Sequence, residues 1–155
     1  MINLHLQFHP RAKTIDPKGV GAVVKQLNQR LGVGVQGTIN VRVTSAGEVK
    51  RLNQRYGNKA EATDVLSFSY LERPGPLSSG ELGDIVISRQ HLLAQAKQAG
   101  SDQATELALL VLHGVLHVLG YDHQTQNERH QSEGLQRQIM RSAGLVYRDF
   151  NWSET

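Results

Sequence analysis

The sequence predicts a single α/β (α+β-like) domain: a small mixed β-sheet of about four strands, helices packed on it, and one central buried helix. Three observations carry this. Short runs with period-two apolar alternation or a concentration of β-branched and aromatic residues recur near residues 2, 38, 63 and 82. Longer stretches with helical apolar spacing fall between and after them. The two kinds of segment interleave, as expected when helices and strands form layers of one domain.

At 155 residues the chain is long enough to bury a core without disulfides. Residues 1–155 are read as one domain, with no internal repeat, linker or low-complexity segment. There are no cysteines, which excludes a disulfide framework and thiolate zinc sites and fits a reducing compartment. The start, Met1-Ile2-Asn3-Leu4-His5, lacks the basic and apolar regions of a secretory signal, so the expected location is the cytoplasm. The longest apolar run, Leu107 to Leu119, is too short to span a bilayer and contains histidines. A net charge of +3 permits a polyanionic partner but is far below that of a dedicated nucleic-acid-binding domain.

Ile2, Leu4, Leu6 and Phe8 alternate with Asn3, His5, Gln7 and His9, the pattern of a strand with one buried face. His5 and His9 then fall on the outer face as ordinary surface residues. Asp16-Pro17 offers an N-cap followed by a proline at the first helical position, and Val20, Val23, Val24, Leu27 and Leu31 form an apolar stripe that Gly32 ends. Thr38 to Thr44 reads as the second strand. Ser45-Ala46-Gly47-Glu48 has capping-box spacing for a helix reaching about Tyr56. Arg51 and Arg55 share a face of that helix. With Lys50 and Lys59 they form either a solvated basic face or a phosphate-facing patch. Thr63 to Tyr70 and Leu82 to Ser88 read as two further strands joined by a mobile loop rich in proline, glycine and serine. A short helix over 89–99 closes at Gly100, and Ser101-Asp102 caps the central helix, which ends near Leu119. A last helix over about 127–143 buries Leu135, Ile139 and Met140 and stops at Gly144.

The chemistry concentrates in His113-Gly114-Val115-Leu116-His117-Val118-Leu119-Gly120-Tyr121-Asp122-His123. His113 and His117 lie four residues apart on one helix face. Gly120 sits where the helix should end, so the chain can double back and bring His123 to the other two. Three neutral imidazoles suit one zinc ion and leave its fourth position to water, the arrangement of catalytic rather than structural sites. Zinc lowers the pKa of such a water from about 15.7 to about 7, which points to hydrolysis. His91 and His130 stand outside the pattern and are read as structural. The spacing matches the metzincin proteases, whose motif places a glutamate after the first histidine as general base; here that residue is Gly114, so peptide hydrolysis is disfavoured. Asp122 is either a partner orienting a ligand histidine or an ordinary turn residue.

The histidine block resembles the signature of the YbeY family of bacterial endoribonucleases and rRNA maturation factors. Leu52-Asn53 ahead of Tyr56, then Thr63-Asp64-Val65-Leu66-Ser67-Phe68, then Gly83-Asp84-Ile85-Val86-Ile87-Ser88, resemble the family's other blocks in the same order, over roughly residues 40–145. The resemblance implies an α/β fold with a small mixed sheet and one zinc ion on His113, His117 and His123. It further implies a single-strand-selective endoribonuclease acting in maturation of the small-subunit rRNA 3′ end and in ribosome quality control, with rRNA and the ribosome as partners. One departure stands out. The family arginine after the tyrosine is Gly57 here, and Ala60 and Ala62 replace the usual aspartate and proline. Arg55 and Lys59 are the adjacent cations available to neutralise a phosphate, although a lysine point charge is not equivalent to an arginine fork. The alternative from another class is a non-catalytic ribosome assembly factor whose metal fixes the C-terminal turn; a metalloprotease ranks third.

Overall fold

The computed structural model describes residues 1–31, 36–56, 65–70, 80–121 and 125–147. Four strands form one sheet in the order β1-β2-β4-β3: β1 (Ile2–Phe8), β2 (Gly37–Thr44), β3 (Val65–Ser69) and β4 (Glu81–Ser88). β1, β2 and β4 run parallel, and β3 is an antiparallel edge strand against β4. The mixed four-stranded sheet expected from the sequence is therefore present.

The register explains how the sheet makes two unlike faces. Leu6, Val41, Ile85 and Ser67 lie in one row, and Phe8, Val43, Ile87 and Val65 in another on the same side. Because side chains alternate across a strand, the other side carries the rows His5-Asn40-Asp84-Phe68 and Gln7-Arg42-Val86-Leu66. The first face is apolar and faces the core. The second is largely polar.

Among the described residues five α-helices accompany the sheet: α1 (Lys18–Leu31), α2 (Ala46–Tyr56), α3 (Arg89–Ala99), α4 (Gln103–Val118) and α5 (Gln126–Ser142). α1 starts after Pro17 rather than at it, with the Asp16 carboxylate accepting from the Lys18 N–H at 2.9 Å. Its expected stripe is present, with Val20, Val23 and Leu27 buried and Val24 and Leu31 packed beside them. Ser45 caps α2 by accepting from the Glu48 N–H, and Gly100 closes α3 at φ 66°. α5 is opened by a reciprocal capping box between Thr125 and Glu128, and its core residues Ile139 and Met140 are buried as expected.

The middle of α4, Leu107 to Leu112, is apolar all round because it is enclosed by protein. The helix packs on β3 and β4 and against α1, α3 and α5, and Leu107 to Leu112 are all but inaccessible to solvent. α2 covers part of the polar face, through Leu52 and Tyr56. His5, His9 and His130 are exposed, and His91 bonds Ser88 Oγ at 2.8 Å beside the start of α3. Among the described residues no helix is long and apolar enough to cross a membrane. Gly32, Thr63 and Asp64 at the start of the third expected strand, residues 72–79 of the loop expected to be mobile, Gly57, Lys59, Ala60, Ala62, Asp122 and His123 lie outside the described residues.

Candidate functional site

The position of α4 on the sheet is set by small residues. A Cβ on Gly114 would fall 2.9 Å from both Cδ1 and Cγ2 of Ile85, and one on Gly83 would fall 2.8 Å from Cγ1 of Val118. Only glycine at each place lets helix and strand approach this closely. Two serines of β3 add polar contacts: Ser69 Oγ donates to the Val118 carbonyl at 2.7 Å and Ser67 Oγ to the Gly114 carbonyl at 3.5 Å.

With Gly114 and Val118 turned to the sheet, His113 and His117 occupy the neighbouring face of the same helix, one residue back in each turn. Their ring centroids are 4.5 Å apart at an interplanar angle of 50°. His113 is buried at 2 % exposure and His117 is half-buried, so the pair runs from the core to the surface. The helix then ends in a Schellman turn: the Gly120 N–H donates to the His117 carbonyl at 3.0 Å and the Tyr121 N–H to Leu116 at 2.9 Å, with Gly120 at φ 99°. The sequence placed the helix end and its glycine here. His123 lies beyond the described chain, and among the described residues no group of three or more His, Cys, Asp or Glu is placed to hold a metal. Two of the three expected ligands are thus brought together.

Arg55 stands in the last turn of α2, exposed, with its guanidinium 5.2 Å from the Tyr56 ring centroid. α2 and α4 lie on opposite faces of the sheet, so the histidines and Arg55 approach from different sides. Arg51 pairs with Glu48, which also meets Arg42 at 3.4 Å. The basic face of α2 is therefore partly neutralised by its own carboxylate, and Arg55 carries the cationic end.

A cavity of about 510 Å3 opens on the polar face beside α2, lined among others by Gln7, Asn40, Tyr56, Phe68, Tyr70 and Asp84. Asp84 is fixed from two sides, accepting from Asn40 Nδ2 at 3.1 Å on one oxygen and from the Tyr70 hydroxyl on the other. Sequence reasoning passed over Asn40, Tyr70 and Asp84. The available signal was a polar residue at an outward position in each of two strands whose inward positions carry Ile39, Val41, Val43, Ile85 and Ile87.

Comparison with known proteins agrees with this architecture. The family model described as Endoribonuclease YbeY matches residues 9–144. Proteins named Endoribonuclease YbeY are 34% identical over 145 residues in Bifidobacterium animalis subsp. lactis, covering 91% of this chain and 80% of that one, and 38% identical over 123 residues in Listeria monocytogenes serotype 4a, covering 71% and 76%. A solution structure of a Thermotoga maritima protein shares the fold, with a TM-score of 0.53 and 23% identity across 97% of this chain and 100% of that one. The α/β fold and these matches define a nuclease of the hydrolase class. More particularly, the chain belongs to the endoribonuclease YbeY family.

Proposed function

We propose that this chain is a zinc-dependent endoribonuclease that cuts single-stranded rRNA during maturation of the small-subunit 3′ end and in ribosome quality control, working with the ribosome in the cytoplasm. The observation that carries the reading is the convergence of His113 and His117, rings 4.5 Å apart, on a buried helix of a chain in an endoribonuclease family. Two imidazoles sharing a helix face, one buried and one reaching the surface, are suitable donors for one zinc ion, and His123, three residues after Gly120 in sequence, is the proposed third. Bound by His113, His117 and His123, zinc supplies Lewis acidity towards a phosphoryl oxygen.

The chain's own residues account for the rest. Burial of α4 fixes the histidine ring positions before substrate arrives, so little ordering is left to the bound state. Gly114 presents no carboxylate, so the proton acceptor is not the residue next to His113. Arg55, exposed and extended by Lys59 in sequence, neutralises the phosphate in place of the family arginine that Gly57 lacks.

The test is metal analysis coupled to cleavage assays on single-stranded and duplex RNA, with wild type and a folded His117→Ala variant. Wild type should hold stoichiometric zinc and cut the single strand preferentially, and the variant should lose both. A wild type without stoichiometric metal defeats the proposal, and metal without cleavage favours a non-catalytic assembly factor. Product ends separate two routes: a 2′,3′-cyclic phosphate reports attack by the ribose 2′-hydroxyl, and a directly formed 3′- or 5′-phosphate reports water.

A further inference from the structure

We propose that the cavity on the polar face of the sheet is a pocket for one unstacked nucleobase of single-stranded RNA, a proposal that rests on the endoribonuclease reading. Its volume of about 510 Å3 accommodates a nucleotide. Its wall is Tyr56, a large ring left 60 % exposed yet held in place edge-to-face against Phe68 at 6.2 Å and 84°. An exposed aromatic whose orientation is already fixed is a stacking platform that loses little freedom on binding.

The floor supplies the polar half of base recognition. Both carboxylate oxygens of Asp84 are engaged, one by Asn40 and the other by Tyr70, so the Asn40 amide is held in one orientation. An amide so fixed keeps its carbonyl oxygen and second N–H for a ligand, and this acceptor beside a donor complements the edge of a base. The Gln7 amide lines the same cavity. At the rim, Arg42 is paired with Glu48 at 3.4 Å while 43% of its side chain stays exposed, and Arg55 lies over Tyr56, so Arg55 is the cation placed where the sugar–phosphate chain would enter. Stacking face, base-edge partner and rim cation together suit an unpaired base, since a base within a duplex has both its faces and its pairing edge occupied. The pocket lies on the face of the sheet opposite α4, so the base it holds is one outside the metal site that His113 and His117 would form.

The experiment is fluorescence anisotropy of the full chain with a labelled single-stranded 2′-O-methyl oligoribonucleotide. Tyr56→Ala should weaken binding by about tenfold, the scale of one base–aromatic stack, and Tyr56→Phe should restore it. Gln7→Trp, which fills the cavity from β1, should weaken binding to a similar degree while leaving thermal unfolding unchanged. Wild-type affinity in both Tyr56→Ala and Gln7→Trp overturns the pocket alone. A wild type that binds no oligoribonucleotide overturns the endoribonuclease reading with it.

Discussion

Gly114 sits so close to Ile85 that no side chain fits between α4 and β4: a Cβ would meet Ile85 Cδ1 and Cγ2 at 2.9 Å and Cγ1 at 3.2 Å. The position that holds the catalytic glutamate in metzincin proteases is here a packing surface, and the loss of that carboxylate follows from the seating of the helix. Gly114→Ala gains about 1 kcal/mol of helix propensity but forces overpacking that costs about 1–3 kcal/mol. The expected outcome is a net loss of up to about 2 kcal/mol in denaturant unfolding. The double variant with Ile85→Val should recover part of it, because the two sites touch. Gly114→Glu buries a charge against the sheet and should not fold.

The serines of β3 should differ in weight. Val118 ends α4, and among the described residues its carbonyl accepts from Ser69 Oγ at 2.7 Å rather than from a backbone N–H of the helix. The contact from Ser67 is longer, 3.5 Å, and reaches the carbonyl of Gly114 inside the helix. Ser69→Ala should cost about 1–2 kcal/mol and Ser67→Ala distinctly less. Equal costs in thermal unfolding would remove this account of how β3 holds the end of α4.

Some of this was legible in the sequence, for physical reasons. Burial imposes a period, so the alternation at Ile2, Leu4, Leu6 and Phe8 and the unbroken run around Leu107 to Leu112 named their elements directly. Helix ends were legible where a cap demands one residue type, as at Asp102, Gly100, Gly120 and Gly144. The pairing of His113 with His117 follows from helix geometry alone. Strand order and the side chosen by α2 leave no local trace. Asn40 and Asp84 are 44 positions apart and meet only because β2 and β4 are neighbours. The sequence likewise showed what Gly114 lacks but not Ile85, the neighbour that requires the lack.

The pH dependence of stability should contain a part due to Asp102. Its carboxylate caps α4, accepting from the Thr105 N–H at 2.7 Å, and this bond, with the Thr105 hydroxyl, holds its pKa below the ordinary 3.8. A carboxyl whose folded pKa is depressed binds protons more readily when unfolded. Its contribution is therefore present in full above the unfolded value of 3.8 and is lost as pH falls from there through the folded pKa. Asp102→Asn retains an acceptor but does not titrate. The stability difference between wild type and Asp102→Asn should be constant between about pH 5 and 7 and shrink below 3.8. Asp102→Ala should cost about 1 kcal/mol at neutral pH.

Gly120 should couple the end of α4 to the proposed metal. Its φ of 99° is costly for any residue with a Cβ, but a Cβ there would meet nothing within 4 Å, so a substitution acts through the backbone alone. Gly120→Ala should therefore cost about 1–2 kcal/mol of stability, and Gly120→Asn less, because asparagine tolerates left-handed backbone at a helix end. The Schellman bonds from Gly120 and Tyr121 also fix the backbone at the last described residues before His123 in sequence. If His123 completes the zinc site, the alanine variant should bind zinc more weakly than wild type and the asparagine variant should fall between them. Chelator competition on folded protein measures this. Zinc affinity that ignores Gly120 while stability responds would separate the turn from the metal and leave His123 without its role.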